Sequence, residues 1–129
     1  MERWTRYFAD PRPRTAAFVA EHDDELVGMA LVGPSRAEDI DPGDNGEVYA
    51  IYVTPQHWGH GHGRGLMIES LDWLRDAGFS AAMLWVLDTN AIGRRFYERG
   101  GWLVDGATQV DESFGAPLHE VRYRISLDS

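Results

Sequence analysis

Between a strand-like run, Glu47 to Val53 (EVYAIYV), and an amphipathic stretch lies Gln56-His57-Trp58-Gly59-His60-Gly61-His62-Gly63-Arg64-Gly65, with glycine at every second position from 59 to 65. No other segment limits the fold as strongly. Alternating glycines cost backbone entropy that a plain connection into a helix does not require. They let main-chain amides crowd around a guest, and a helix N-terminus behind them adds about half a positive charge, so the expected guest is a phosphate or pyrophosphate.

Spacing narrows the choice of anion site. A dinucleotide G-x-G-x-x-G starting at Gly59 needs glycine where Arg64 stands, and one starting at Gly61 needs it where Leu66 stands. The Walker pattern fails for want of Gly-Lys-Ser/Thr; all 12 basic residues are Arg, with no Lys and no Cys in the chain. Schiff-base chemistry, disulfides, thiolate zinc sites and cysteine nucleophiles are thereby excluded.

The surrounding pattern reads as a mixed sheet. Thr15 to Glu21 and Leu26 to Val32 are apolar, strand-forming runs joined by a short polar segment, which predicts a hairpin. A long acidic loop, Gly33 to Gly46, precedes the strand that Thr54-Pro55 stops. From Gly65 to Ala77 the period changes, with Met67, Leu71 and Leu74 on one stripe and Gly78 as the stop, which predicts a helix. Ala81 to Leu87 is continuously apolar, as suits a strand covered on both faces and parallel to its predecessor. A short helix capped by Thr89 or Asn90 runs through Glu98, and Trp102 to Val104 and Glu120 to Leu127 close the sheet. At 129 residues the chain is expected to be one domain.

Two segments together resemble the GNAT superfamily of acetyl-CoA-dependent N-acyltransferases. Val53-Thr54-Pro55 followed by Trp58-Gly59-His60-Gly61-His62-Gly63 is similar to that family's Q/R-x-x-G-x-G/A turn, with Trp58 where Gln or Arg is usual and Arg64 next in line. Asn90 to Trp102 (NAIGRRFYERGGW) is similar to the family's N-x-x-A-x-x-F-Y-x-x-x-G-F segment. The resemblance implies an α/β fold: a mixed, mainly antiparallel sheet with a splayed central parallel pair, flanking helices and a shortened start, in which Glu2 to Ala9 would be the end of a helix. It implies acetyl-CoA as co-substrate, held by Trp58, Gly59, His60, Gly61, His62, Gly63 and Arg64, with Asn90 either bonding the pantetheine chain or capping its helix. Backbone amides near Ile51, Tyr52 and Val53 would meet the thioester oxyanion.

Attack on a thioester needs a neutral amine, yet an alkylammonium has a pKa near ~10, so something must take its proton. Strand alternation puts Glu47, Tyr49, Ile51 and Val53 on one face, and Glu47 matches the place where several GNAT enzymes carry a catalytic glutamate. An exposed strand-start glutamate is the plain alternative. Tyr97 lies seven residues after Asn90, nearly two helical turns, so both can face one groove, and in the family this tyrosine returns a proton to the departing thiolate. The alternative is that Phe96 and Tyr97 are a core pair. Trp4, Tyr7, Tyr49 and Tyr52 are candidates for an acceptor pocket and equally for core.

His57, His60 and His62 have suggestive metal spacing. No carboxylate accompanies them and the glycines loosen the loop, so no metal is expected and solvent-facing side chains are. With 21 acidic residues against 12 basic, nucleic acid and anionic membrane are unsuitable partners, and a cationic acceptor amine is suitable. No apolar run is long enough to span a bilayer and the start lacks a signal-peptide core, so a cytoplasmic location is expected. A second copy of the chain would cover the shortened edge. Two rival functions remain: a catalytically silent acyl-CoA-binding module and a His-loop metal-binding interaction domain.

Overall fold

Over the first half of the chain, strand-forming runs alternate with connections that bring each strand back beside the last. The computed structural model describes residues 2–9, as backbone, and 15–128. Strands β1 (Glu2–Ala9), β2 (Ala16–His22), β3 (Glu25–Pro34) and β4 (Asn45–Val53) pair in turn, each antiparallel to the one before. Asp23 and Asp24, the turn between β2 and β3, both have positive φ, of 50° and 66°, which lets a two-residue turn follow the strand twist. The segment Glu2 to Ala9, expected as a helix end, is instead an edge strand that pairs with β2 from Glu2 opposite His22 to Ala9 opposite Ala16. Trp4, Thr5, Tyr7 and Phe8 are strand formers, and the hairpin edge gives them hydrogen bonds that an isolated eight-residue helix does not sustain.

Helix α1 (His62–Asp76) carries the chain across to β5 (Ala81–Leu87), which lies parallel to β4. The helix starts three residues before the expected Gly65. Its buried side holds Leu66, Met67, Ser70 and Leu74, and Ser70 satisfies its buried hydroxyl by donating to the Leu66 carbonyl at 2.7 Å. In β5 the consecutive residues Ala82, Met83 and Leu84 are all buried, so both faces of this strand are covered, as its apolar run predicts. Helix α2 (Ala91–Arg99), β6 (Leu103–Asp111) and β7 (Leu118–Ser126) complete a seven-stranded sheet of order β1-β2-β3-β4-β5-β7-β6. The mixed α/β architecture with one parallel pair inside an antiparallel sheet is the one expected.

Arg122 departs from simple alternation on β7. It is only 5% exposed, and its guanidinium grips both carboxylate oxygens of Asp39 at 2.8 and 2.9 Å and donates through Nε to Asp105 at 2.6 Å. It also lies over the Trp85 ring. One buried cation thus ties the β3–β4 loop to β6, and Asp39 is correspondingly held below the usual carboxylate pKa, chiefly by that hydrogen bond. Arg122→Ala strands Asp105 without its cation and unfastens the loop. We expect a loss of about 2–3 kcal/mol, less than for a fully buried pair because Asp39 is exposed, measured by urea denaturation; an unchanged midpoint would contradict this role.

Candidate functional site

The site begins with two strands that part. β4 and β5 pair only at Asn45 with Ala81, Gly46 with Ala82 and Glu47 with Met83, whereas β5 stays paired to β7 along its whole length, from Ala81 to Leu87. From Val48 onward the edge of β4 that faces β5 has no ladder partner. A bulge falls at the same place: Leu31 pairs with Ala50 and Val32 with Val48, so Tyr49 is the extra residue. Its hydroxyl donates to the Pro34 carbonyl and Arg36 stacks on its ring at 4.1 Å, so Tyr49 is a packing residue and not an open pocket wall.

The bulge corrects the expected alternation. Across it the parity of side chains inverts: Gly46, Val48, Ile51 and Val53 share one face, and Glu47 joins Ala50 and Tyr52 on the other. Glu47 is 3% exposed, and both its carboxylate oxygens are engaged by Arg36, Oε1 by the backbone N–H at 2.8 Å and Oε2 by the guanidinium at 3.1 Å. It does not line the cavity described next.

Beyond Val53 the chain makes a 3-10 turn at Pro55–His57 and enters the glycine loop. The Thr54 amide donates to the Val27 carbonyl at 2.8 Å, and the Trp58 indole Nε1 donates to the Val53 carbonyl at 2.7 Å. Trp58, where the family has Gln or Arg, therefore fastens the loop back onto β4. Gly59 and Gly61 have φ of 82° and 87°, a region that glycine enters without strain; around Gly59 there is open space, so conformation and not room requires the glycine. Gly61 is the N-cap of α1 and brings no capping side chain, and the first turn of α1 holds no acidic residue. No side chain of the cap or of the first turn competes there with an external anion.

The second wall is α2. Asn90 caps it, accepting the Gly93 N–H at 2.9 Å, and a Cβ at Gly93 would come within 2.5 Å of the Asn90 amide, which accounts for glycine where the family segment carries alanine. Phe96 lies under Gly63, and Tyr97 packs against Phe96, Trp102 and Tyr123 at ring separations of 5.5, 6.3 and 6.0 Å. Burial pushes the Tyr97 phenol above its ordinary pKa. The neighbouring Tyr123 hydroxyl is fully used, donating to Glu98 and accepting from Arg94, whereas no hydrogen bond to a described residue holds that of Tyr97.

Bounded by the outer end of β4, the glycine loop with the start of α1, and α2 is a cavity of about 620 Å³. It brings together the expected Ile51, Tyr52, Val53, Trp58, Gly59, Gly61, His62, Gly63, Arg64, Asn90 and Tyr97; His60 and Glu47 are not on its wall. It also has residues that the motifs did not single out, above all Arg95 and Arg99. These lie one helical turn apart on α2, and with Arg64 they make three guanidiniums at the cavity, none in an ion pair with a described residue. Their i, i+4 spacing within the second motif was the available signal. The side chains of Trp4 and Tyr7 lie outside the described residues, and Tyr52 is on the cavity wall. His62 is buried at 1% exposure, contrary to the solvent-facing position expected for the loop histidines, because α1 begins at this residue and turns its ring inward.

Residues 1–102 match the acetyltransferase (GNAT) family model. Over 80 residues, 61% of this chain and 45% of the relative, the sequence is 36% identical to the uncharacterized N-acetyltransferase YuaI of Bacillus subtilis (strain 168). Over 101 residues, 78% of this chain and 33% of the relative, it is 33% identical to the mycothiol acetyltransferase of Rhodococcus erythropolis. The chain thus spans less than half the length of either curated relative. Among solved structures, yncA of Salmonella typhimurium with its cofactor acetyl-CoA superposes with a TM-score of 0.74 at 26% identity, over 89% of this chain and 66% of that one. In fold, in both motifs and in sequence, the chain belongs to the GNAT family of acetyltransferases.

Proposed function

We propose that this chain binds acetyl-CoA in the cavity and transfers the acetyl group to a primary amine by direct attack in a ternary complex. The observation that carries the reading is a cavity with a helix N-terminus that has no capping side chain, three arginines at its wall that pair with no described acidic residue, and a parted strand pair with a tyrosine beside it. The loop amides and the first turn of α1 suit a pyrophosphate, and Arg64, Arg95 and Arg99 supply the charge for coenzyme A's phosphates in a chain whose formal net charge is −9. The edge of β4 beyond its ladder with β5, at Ile51 and Tyr52, can bond the pantetheine amides, and backbone N–H groups near Tyr52 and Val53 can meet the thioester oxygen.

The amine nitrogen forms the C–N bond, the C–S bond breaks, and coenzyme A leaves as a thiolate. In this reading Tyr97, on the cavity wall, gives that thiolate its proton and regains one from solvent. Burial raises the phenol, and it raises a thiol held in the same apolar surroundings, so the two remain close enough for transfer. The chain has no Cys to carry an acyl intermediate, in keeping with direct transfer. Its acidic balance supports a cationic acceptor. For Glu47 the geometry supports clamping the β3–β4 loop through Arg36 more than proton acceptance, and water takes the amine's proton in this reading.

Calorimetry with acetyl-CoA and turnover with a panel of primary amines test the proposal together. Binding without turnover would leave a silent acyl-CoA module, and no binding would remove the reading altogether. Tyr97→Phe is expected to keep acetyl-CoA affinity and lower kcat by about 10²-fold; undiminished turnover would dismiss the acid role. Because the Tyr97 pKa is raised in the folded state, the protonated phenol persists past the ordinary value of ~10, and the alkaline fall in kcat should begin above it. The stability that this shift represents is intact below pH ~10 and is lost as pH climbs through the folded pKa, so the melting temperature should fall over that same range. Glu47→Gln removes an acceptor from Arg36 and is expected to cost about 1–3 kcal/mol of stability while leaving the shape of the pH–rate profile intact. Disappearance of the acidic limb in that variant would restore Glu47 as the base.

A further inference from the structure

Folding brings a fourth histidine to the three in the glycine loop. His22, the last residue of β2, meets His57, His60 and His62, and all six pairs of rings have centroids between 5.2 and 6.4 Å apart. Six nearly equal separations among four points describe a tetrahedron. With a zinc–nitrogen distance of ~2.0–2.1 Å and a further ~1.1 Å to the ring centre, four imidazoles around a tetrahedral ion have centres ~5 Å apart. Closing the observed cluster onto one ion asks each ring centre to move inward by about 0.5 Å and the rings to turn their nitrogens toward it, changes of side-chain torsion alone.

Two of the rings already have one nitrogen engaged and the other spare. His57 Nδ1 lies 3.0 Å from Thr54 Oγ1, which leaves Nε2 for a ligand. His22 Nε2 faces the Asp23 carboxylate at 3.5 Å, and its Nδ1 is buried with no hydrogen-bond partner among the described residues. An outer oxygen on one ring nitrogen is the arrangement that orients a metal-ligating histidine and raises its basicity. No carboxylate ligand is needed when four imidazoles complete the sphere, so the objection raised by the loop's composition falls away. The rings are spaced but not yet turned: among the described residues, no group of three or more His, Cys, Asp or Glu is set to hold a metal ion as it stands.

We propose that His22, His57, His60 and His62 form a tetrahedral site for a borderline divalent transition-metal ion, Zn²⁺ foremost, which pins the glycine loop to the β2–β3 hairpin. All-imidazole donors suit this class of ion and not Ca²⁺ or Mg²⁺, and Zn²⁺ accepts the geometry without d-electron cost. The site lies behind the cavity wall to which His57 and His62 contribute, so the ion adds positive charge beside the loop amides. The inference stands apart from the transfer reading, since it needs neither acetyl-CoA nor catalysis.

Untagged protein, stripped with chelator and titrated calorimetrically with zinc sulfate, should bind one equivalent and show a raised melting temperature. In imidazole-detected NMR the resonances of His22, His57, His60 and His62 should shift together while His119, exposed on β7, stays in place. Co²⁺ in place of Zn²⁺ should give the intense visible absorption of a tetrahedral ion. His22→Ala, which is not itself on the cavity wall, should weaken Zn²⁺ at least tenfold, and in zinc-free protein it should leave acetyl-CoA affinity as it was. Absence of stoichiometric binding, a shift confined to exposed His60 and His119, or full Zn²⁺ affinity in His22→Ala would each overturn the site. The NMR result decides the matter on the unaltered chain should the variant fail to fold.

Discussion

The three-pair contact between β4 and β5 is the constraint on which the rest depends. Each strand is committed elsewhere: β5 to β7 at all seven of its residues, and β4 to β3 through a bulged ladder. The bulge at Tyr49 turns the outer half of β4 just where its hold on β5 ends, and the Tyr49 hydroxyl on the Pro34 carbonyl fixes the bend. What opens is a wedge in the middle of a sheet, where β5 no longer covers the edge of β4. Both helices are set by that wedge. α1 leaves the end of β4 and presents its N-terminus to the opening, and α2 leaves the end of β5 and presents Phe96 and Tyr97 to it.

Charge is distributed to the same end. In a chain with arginine as its only basic side chain, most guanidiniums with assigned partners secure the scaffold: Arg122 with Asp39 and Asp105, Arg36 with Glu47, Arg75 with Asp72, Arg124 with the Asn45 side chain. Arg64, Arg95 and Arg99 are left at the cavity. Arginine suits both tasks, since its planar fork pairs bidentately with a carboxylate in the scaffold and with a phosphate in a site.

Local signals were enough wherever a segment's chemistry was its own. The unbroken apolar run of β5, the Asn90 cap and the glycine loop each belong to one stretch of chain, and their positions match to within a few residues. What the sequence could not show came from contacts between distant segments. β1 is a strand because a hairpin edge is waiting for it. Glu47 faces away from Ile51 because one bulged residue inverts parity, and nothing in EVYAIYV marks Tyr49 as that residue. Arg122 is buried because Asp39, 83 positions earlier, folds over it. His22 is 35 or more residues from the other three histidines, so their spacing in the loop read as solvent-facing until the hairpin closed on them.

The glycine loop poses one remaining physical problem. The left-handed conformations at Gly59 and Gly61 aim the amides, but glycine's freedom also lets them wander, and an anion site works only if its donors are already in place. The loop is held at both ends by contacts that do not use those amides. Trp58 reaches back to the Val53 carbonyl, and His57 meets Thr54 at the start of the turn. At the far side His62 is buried as α1 begins, with His22 against it. Trp58, where the family usually has Gln or Arg, therefore supplies a restraint anchored on β4, and the ordering is achieved before any phosphate arrives.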